Sequence, residues 1–165
     1  MTDTSARHDL PFLIPGQAQK EFFHNEALAR IDMILCAAVE NAGVAVPPTD
    51  PAPGQAWIVT SGAAGAFEGR ANQIACWTES GWRFAQVVAG MQVWNKADGY
   101  FMIWAGAGWD AGVVHGSSVN IEGKQIIGER LPAIAAPAGG SVVDAEARAA
   151  IAALTAALKT HGLTD

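Results

Sequence analysis

Three groups of side chains in this sequence are of types that do chemistry: His24-Asn25-Glu26, the acids Asp98, Asp110, Glu122 and Glu129, and the thiols Cys36 and Cys76. A zinc-protease helix carries two His at i and i+4 with Glu directly after the first. Here Asn25 follows His24 and Leu28 stands at i+4, so His24 and Glu26 read as polar residues on a helix flank. Cleaving a glycosidic bond needs two carboxylates facing each other across it, and no spacing among the four acids makes such a pair. Cys36 falls in a helical pattern and Cys76 in a strand, with no second pair of ligands nearby, so both read as small buried hydrophobes. Gly62 and Gly65 punctuate a loop, but no Lys-Ser or Lys-Thr follows them to complete a phosphate cradle. The residues identify no reaction, metal or cofactor, and a non-enzymatic chain is expected.

What remains is binding chemistry, and it resides in tryptophan. The stretches Ile74-Ala-Cys-Trp-Thr-Glu-Ser-Gly-Trp-Arg-Phe84 and Phe101-Met-Ile-Trp-Ala-Gly-Ala-Gly-Trp-Asp-Ala111 share one build: apolar run, Trp, three small or polar residues, Gly-Trp, exit. Each reads as a β-hairpin. The register that follows sets Trp77 opposite Trp82 and Ala75 opposite Phe84, with Cys76 and Arg83 on the other face. In the second copy Met102, Trp104, Trp109 and Ala111 fall together, and Ile103 stands opposite Asp110. Arg83 and Asp110 suggest that this second face is the wetter one. Flat aromatic faces on such hairpins can stack on sugar rings, which makes Trp77, Trp82, Trp104 and Trp109 candidate ligand residues. A core role is the commoner fate of Trp in a β-domain.

The elements that must position these hairpins divide the chain into four segments. Residues 1–46 are an extended, proline-broken arm, Leu10 to Gly16, followed by a helix. Its signals begin at Gln17 and run to about Val39, a rod of roughly 36 Å. Phe23, Ala27, Ile31 and Ile34, continued by Ala38, form its apolar stripe. Residues 47–112, entered through the stiff Pro47–Gly54 connector, hold short strands at Ala56–Thr60, Met91–Trp94 and in the hairpins. They suggest an antiparallel meander closing toward a small barrel or sandwich. Residues 113–142 are a connector with a small hairpin around Glu122-Gly123. Residues 143–165 hold a helix capped by Asp144, whose Ile151, Leu154 and Leu158 make a narrow seam. The fold class is therefore α+β. Phe23, Ala27, Ile31, Ile34, Ile151, Leu154 and Leu158 are the expected oligomer interface, with the C-terminal helices forming a bundle.

Composition narrows the partners. The chain of 165 residues carries a formal net charge of −6, which disfavours a phosphate backbone as partner. The first eleven residues lack a basic region followed by an apolar run, and no stretch reaches membrane-spanning length. Synthesis in the cytoplasm without a signal peptide, no nucleic acid and no membrane insertion are expected.

Gly16-Gln-Ala-Gln-Lys-Glu-Phe-Phe-His-Asn-Glu-Ala-Leu28 resembles the opening signature of an uncharacterised domain family carried by tail-fibre-type proteins of phages, prophages and gene transfer agents. Gly54 to Val59, Gly65 to Gly69 and Ile74 to Phe84 resemble the same family in the same order. The closing strings Gly128–Ala135, Pro137–Gly140, Val143–Ile151 and His161–Leu163 resemble the end of such fibres. The resemblance implies a structural part of a phage-like virion tail, a homotrimer that joins other tail proteins and contacts the host surface. A glycan is then a further candidate partner. The competing reading is a carbohydrate-binding module acting through the hairpin Trp residues.

Overall fold

The computed structural model describes residues 4–8, 10–13 and 20–165, the side chains of 20 and 21 excepted. The predicted helix start at Gln17 and the end of the arm at Ile14–Gly16 lie outside the described residues. Contacts divide the chain into two units, Met1–Val113 and Val114–Asp165.

In the first unit, helix α1 (Lys20–Ile34) is followed by β1 (Ala38–Val39), β2 (Asn41–Val44), β3 (Ala56–Val59), β4 (Ile74–Thr78), β5 (Gly81–Ala85), β6 (Gln92–Asn95), β7 (Tyr100–Trp104) and β8 (Trp109–Ala111). They form two four-stranded sheets, in the orders β2-β3-β4-β5 and β1-β6-β7-β8. Each is an antiparallel meander with a short parallel strand added at its first edge. Neither sheet closes into a barrel, and the meander expected from the sequence is mixed rather than purely antiparallel.

Both hairpins take the register read from their sequence: Trp77 faces Trp82, Cys76 faces Arg83, Ala75 faces Phe84, Trp104 faces Trp109 and Ile103 faces Asp110. Gly81 sits at φ +101, a left-handed conformation that suits the turn and that a side chain would disfavour. In the first hairpin the face expected to be the wetter one, that of Cys76, is instead buried, whereas in the second Met102 and Trp104 are buried and the face of Ile103 and Asp110 is the more open, as expected. Ala56, Ile58, Ile74, Cys76 and Ala85 meet Met33 and Ala37, together with Val93 and Met102 of the second sheet, in one core. On the other side of the first sheet, Val59 and Ala75 pack on Phe67 with Trp82 and Phe84. Phe67 comes from the loop after β3 and is fully buried, worth roughly 1.5–3 kcal/mol of transfer free energy. The first sheet is thus covered on both faces, which is why all four residues of β3 are buried. Among the described residues, the second sheet is covered on one.

Helix α1 has 15 residues rather than the expected two dozen. Its end is fixed from a distance: the Arg7 guanidinium donates to the carbonyls of Asp32 and Met33 at 2.9 Å and of Cys36 at 2.8 Å. Cys36 then turns the chain at φ +46 and is exposed, not buried. Ala38 and Val39, read as the last helical turn, instead pair in parallel with Trp94 and Asn95. The face turned inward is also unexpected. Asp32 and Met33 are buried and Glu26 is half-buried, whereas Phe23, Ala27, Ile31 and Ile34 are exposed, Phe23 to 75 %. Polar contacts, rather than the apolar stripe, set the rotation of this helix.

The second unit contains a hairpin of β9 (Val119–Ile121) and β10 (Lys124–Ile127), an extended stretch, and helix α2 (Ala145–Thr160). Asp144 caps the helix, accepting from the Ala147 N–H at 2.8 Å. Arg130 donates to the Thr164 carbonyl, and Leu131 bridges Thr164 in parallel, tying the start of the extended stretch to the residues after α2. Among the described residues of this unit Thr164 alone is buried.

Candidate functional site

Alternation along β6 and β7 decides which aromatic rings reach solvent. Val93, Asn95, Met102 and Trp104 point into the core, so Gln92, Trp94, Phe101 and Ile103 point out. Trp94 and Phe101 are directly opposite in the register and meet edge to face, centroids 5.0 Å apart at 72°. They remain 37 % and 53 % exposed. Ala38 lies beside Trp94 on the β1 side, and the Gly112 N–H donates to the Phe101 carbonyl on the β8 side. Trp94 is thus flanked on the β1 side by one of the smallest side chains.

The four candidate Trp residues are placed differently. Trp77 stacks edge to face on Trp82 at 5.1 Å, and Trp82 also meets Trp57 at 5.6 Å and Phe67 at 4.9 Å. Trp104 is buried against Trp109, which donates its indole N–H to the Asn72 carbonyl at 3.1 Å. These rings hold hairpins and loops together; Trp104 offers no face to a ligand. Pairing β6 with β7 in sequence would have pointed to Trp94, because Val93 and Met102 both alternate with exposed neighbours.

Sequence reasoning missed the polar cluster at the N-terminal arm. The buried Asp32 carboxylate accepts from Ser5 Oγ at 2.8 Å, from the backbone N–H groups of Arg7 at 3.0 Å and His8 at 2.8 Å, and meets His8 Nδ1 at 2.9 Å. The residue types are those of a serine hydrolase, but the wiring differs. A triad passes the serine proton to histidine, whereas here Ser5 donates to the carboxylate itself and Ser5 Oγ accepts from the Leu10 N–H. The cluster is a clasp between arm and helix. Some 25 residues separate its halves, and no local pattern signals it.

The remaining acids are structural or exposed. Glu26 grips Arg83 through both oxygens, and His24 is exposed. Asp98 accepts from Asn95 Nδ2 at 2.7 Å and from the Tyr100 hydroxyl at 3.0 Å, building the turn between β6 and β7. That hydrogen bond raises the Tyr100 hydroxyl above its ordinary value. Glu122 forms the tip of the β9–β10 turn at φ +50, and Glu129 is exposed in the second unit. Burial pushes the Cys76 thiol up to about 11, so it is protonated and inert at neutral pH. Among the described residues, no three His, Cys, Asp or Glu side chains converge as metal ligands. No described helix is long and apolar enough to cross a membrane.

A model of a family described as proteins of unknown function (DUF2793) matches residues 24–110. The match takes in the first hairpin and the second up to Asp110, while the opening string before His24 and the closing strings from Gly128 onward lie outside it. No curated protein matches the chain.

Proposed function

We propose, from the premise that the chain belongs to this family of proteins of unknown function, that it is a non-enzymatic structural component of a phage-like tail, assembled as a homotrimer. The observation that carries this reading is the bareness of the second unit. Ile121, Ile126, Leu131, Ile134, Ile151 and Leu154 are all exposed there, Leu154 to 65 %. A 16-residue helix and a two-stranded hairpin are each marginal alone in water. Their order requires apolar burial that one copy of the unit does not supply.

Ile134, Ala150, Ile151, Leu154, Thr155 and Leu158 line an open apolar groove along α2. Copies of α2 meeting at an axis would fill it, and Ala at most intervening positions permits close approach. The exposed Phe23, Ala27, Ile31 and Ile34 stripe of α1 offers a second surface of the same kind. The resemblance of the opening and closing strings to tail fibres supports the place of the assembly, a virion tail joined to other tail proteins.

Light scattering of the full chain at micromolar concentration is expected to give three times the 17.2 kDa chain mass. Leu154→Asp would set three charges near the axis and is expected to dissociate the trimer or lower its helix content. A monomeric wild-type mass overturns the assembly. A Leu154→Asp trimer with unchanged helix content removes α2 as its interface.

A further inference from the structure

We infer that the outward face of β6 and β7 at Trp94 and Phe101 is a carbohydrate-binding site, taking a pyranose of a surface polysaccharide flat on one ring and against the edge of the other, the two standing at 72° to each other. The site lies in the β-sheet unit and does not depend on the trimer, so it can stand or fall separately.

Four features converge on a sugar. First, the rings are fixed on a paired sheet, four residues of β6 against four of β7, so little conformational freedom is lost on binding. Second, an aromatic face carries partial negative charge and attracts the polarised C–H groups of one side of a sugar ring. Ala38 is too small to cover the Trp94 indole from the β1 side. Third, the Trp94 indole N–H has no acceptor among the described residues, whereas that of Trp109 is taken by Asn72. A donor beside an open apolar face suits a ligand that alternates C–H and hydroxyl groups. Gln92, exposed on the same face of β6, adds an amide that donates and accepts. Fourth, two of the flanking charges are paired within the chain: Lys96 with Glu40 at 2.7 Å, and Asp98 with Asn95 and Tyr100. A neutral, hydroxyl-rich ligand matches that balance better than a charged peptide or nucleic acid.

The full-length protein is probed on an immobilised array of bacterial surface polysaccharides and neutral oligosaccharides, beside Trp94→Ala, Phe101→Ala and, as an exposed aromatic control, Phe22→Ala. Binding to at least one glycan is expected, weakened about tenfold or more by either platform change and unaltered by the control. Both platform side chains are exposed, so thermal melts close to wild type are expected. As a second readout, the glycan that binds is expected to shield wild-type fluorescence from acrylamide, and Trp94→Phe to remove that shielding. No glycan bound, or binding unchanged in both platform variants, overturns the inference. So does a loss of oligomer mass in Trp94→Ala, which would identify a second copy of the chain as the occupant of this face.

Discussion

Glu26 of α1 and Arg83 of β5 form a forked ion pair, with Nε at 2.9 and 3.0 Å from the two carboxylate oxygens and Nη2 at 2.6 Å from one of them. Its partners are 57 residues apart in sequence. It fastens the helix to the sheet on the side that the apolar stripe does not occupy.

Cutting that pair is expected to loosen α1. Both side chains are about one-quarter exposed, so the pair sits between a surface bridge and a buried one. Arg83→Ala is expected to cost about 1–2 kcal/mol in urea unfolding, with Glu26→Gln close behind. The double variant is expected to cost less than the sum of the two, which a double-mutant cycle measures.

Asp32 is expected to be the costlier loss. Asp32→Ala strands Ser5 Oγ and two backbone N–H groups, and on the order of 2–4 kcal/mol is expected. Limited proteolysis is the sharper measurement, because cleavage within residues 4–13 is expected to accelerate well before the sheets unfold. Equal arm cleavage in the variant and the wild type would show that the arm is held by something else.

Stability is expected to fall with alkali, with Cys76 the named cause. Its thiol is raised from 9.0 in the unfolded reference to about 11 in the fold, so the unfolded chain ionises first. The stabilisation is fully present below pH 9 and is lost as pH climbs from 9 through 11, on the order of 2–3 kcal/mol in all. Urea midpoints of wild type and Cys76→Ala across that window are expected to show a shallower slope in the variant. Thiol labelling at pH 8 is expected to modify Cys36, which is exposed, and to spare Cys76.

Legibility in the sequence followed distance along the chain. The hairpin registers were readable because Trp77 and Trp82, or Trp104 and Trp109, lie five residues apart around Gly-containing loops. The Asp144 cap and the hairpin flanking Glu122-Gly123 were readable for the same reason. Which face each hairpin buries was not local information. In the first copy Phe67 covers the Trp face while Met33 and Ala37 lie over the Cys76 face; in the second the described residues cover the Trp face alone. The end of α1 was hidden because Arg7 sets it from beyond the helix, and Ala38-Val39 is too short and too neutral in propensity to announce a strand. The aromatic platform was missed because the paired hairpin motif drew the eye to four Trp residues that the fold packs together, and away from Trp94, which carries no such motif.

The pairing of β1 with β6 also dictates an order of events in folding. Ala38 must wait for Trp94, about 55 residues later, whereas β2 finds Trp57 after about 16. Closing the longer loop costs about 1 kcal/mol more in chain entropy. The first sheet can therefore form while β1 still lacks its neighbour, leaving Val39, fully buried in the finished fold, covered by the first sheet but not yet by Val93 and Met102. The slow step of folding is expected to be the capture of this two-residue strand. A released chain ending before Asn95 would then hold the first meander and an unfinished second one.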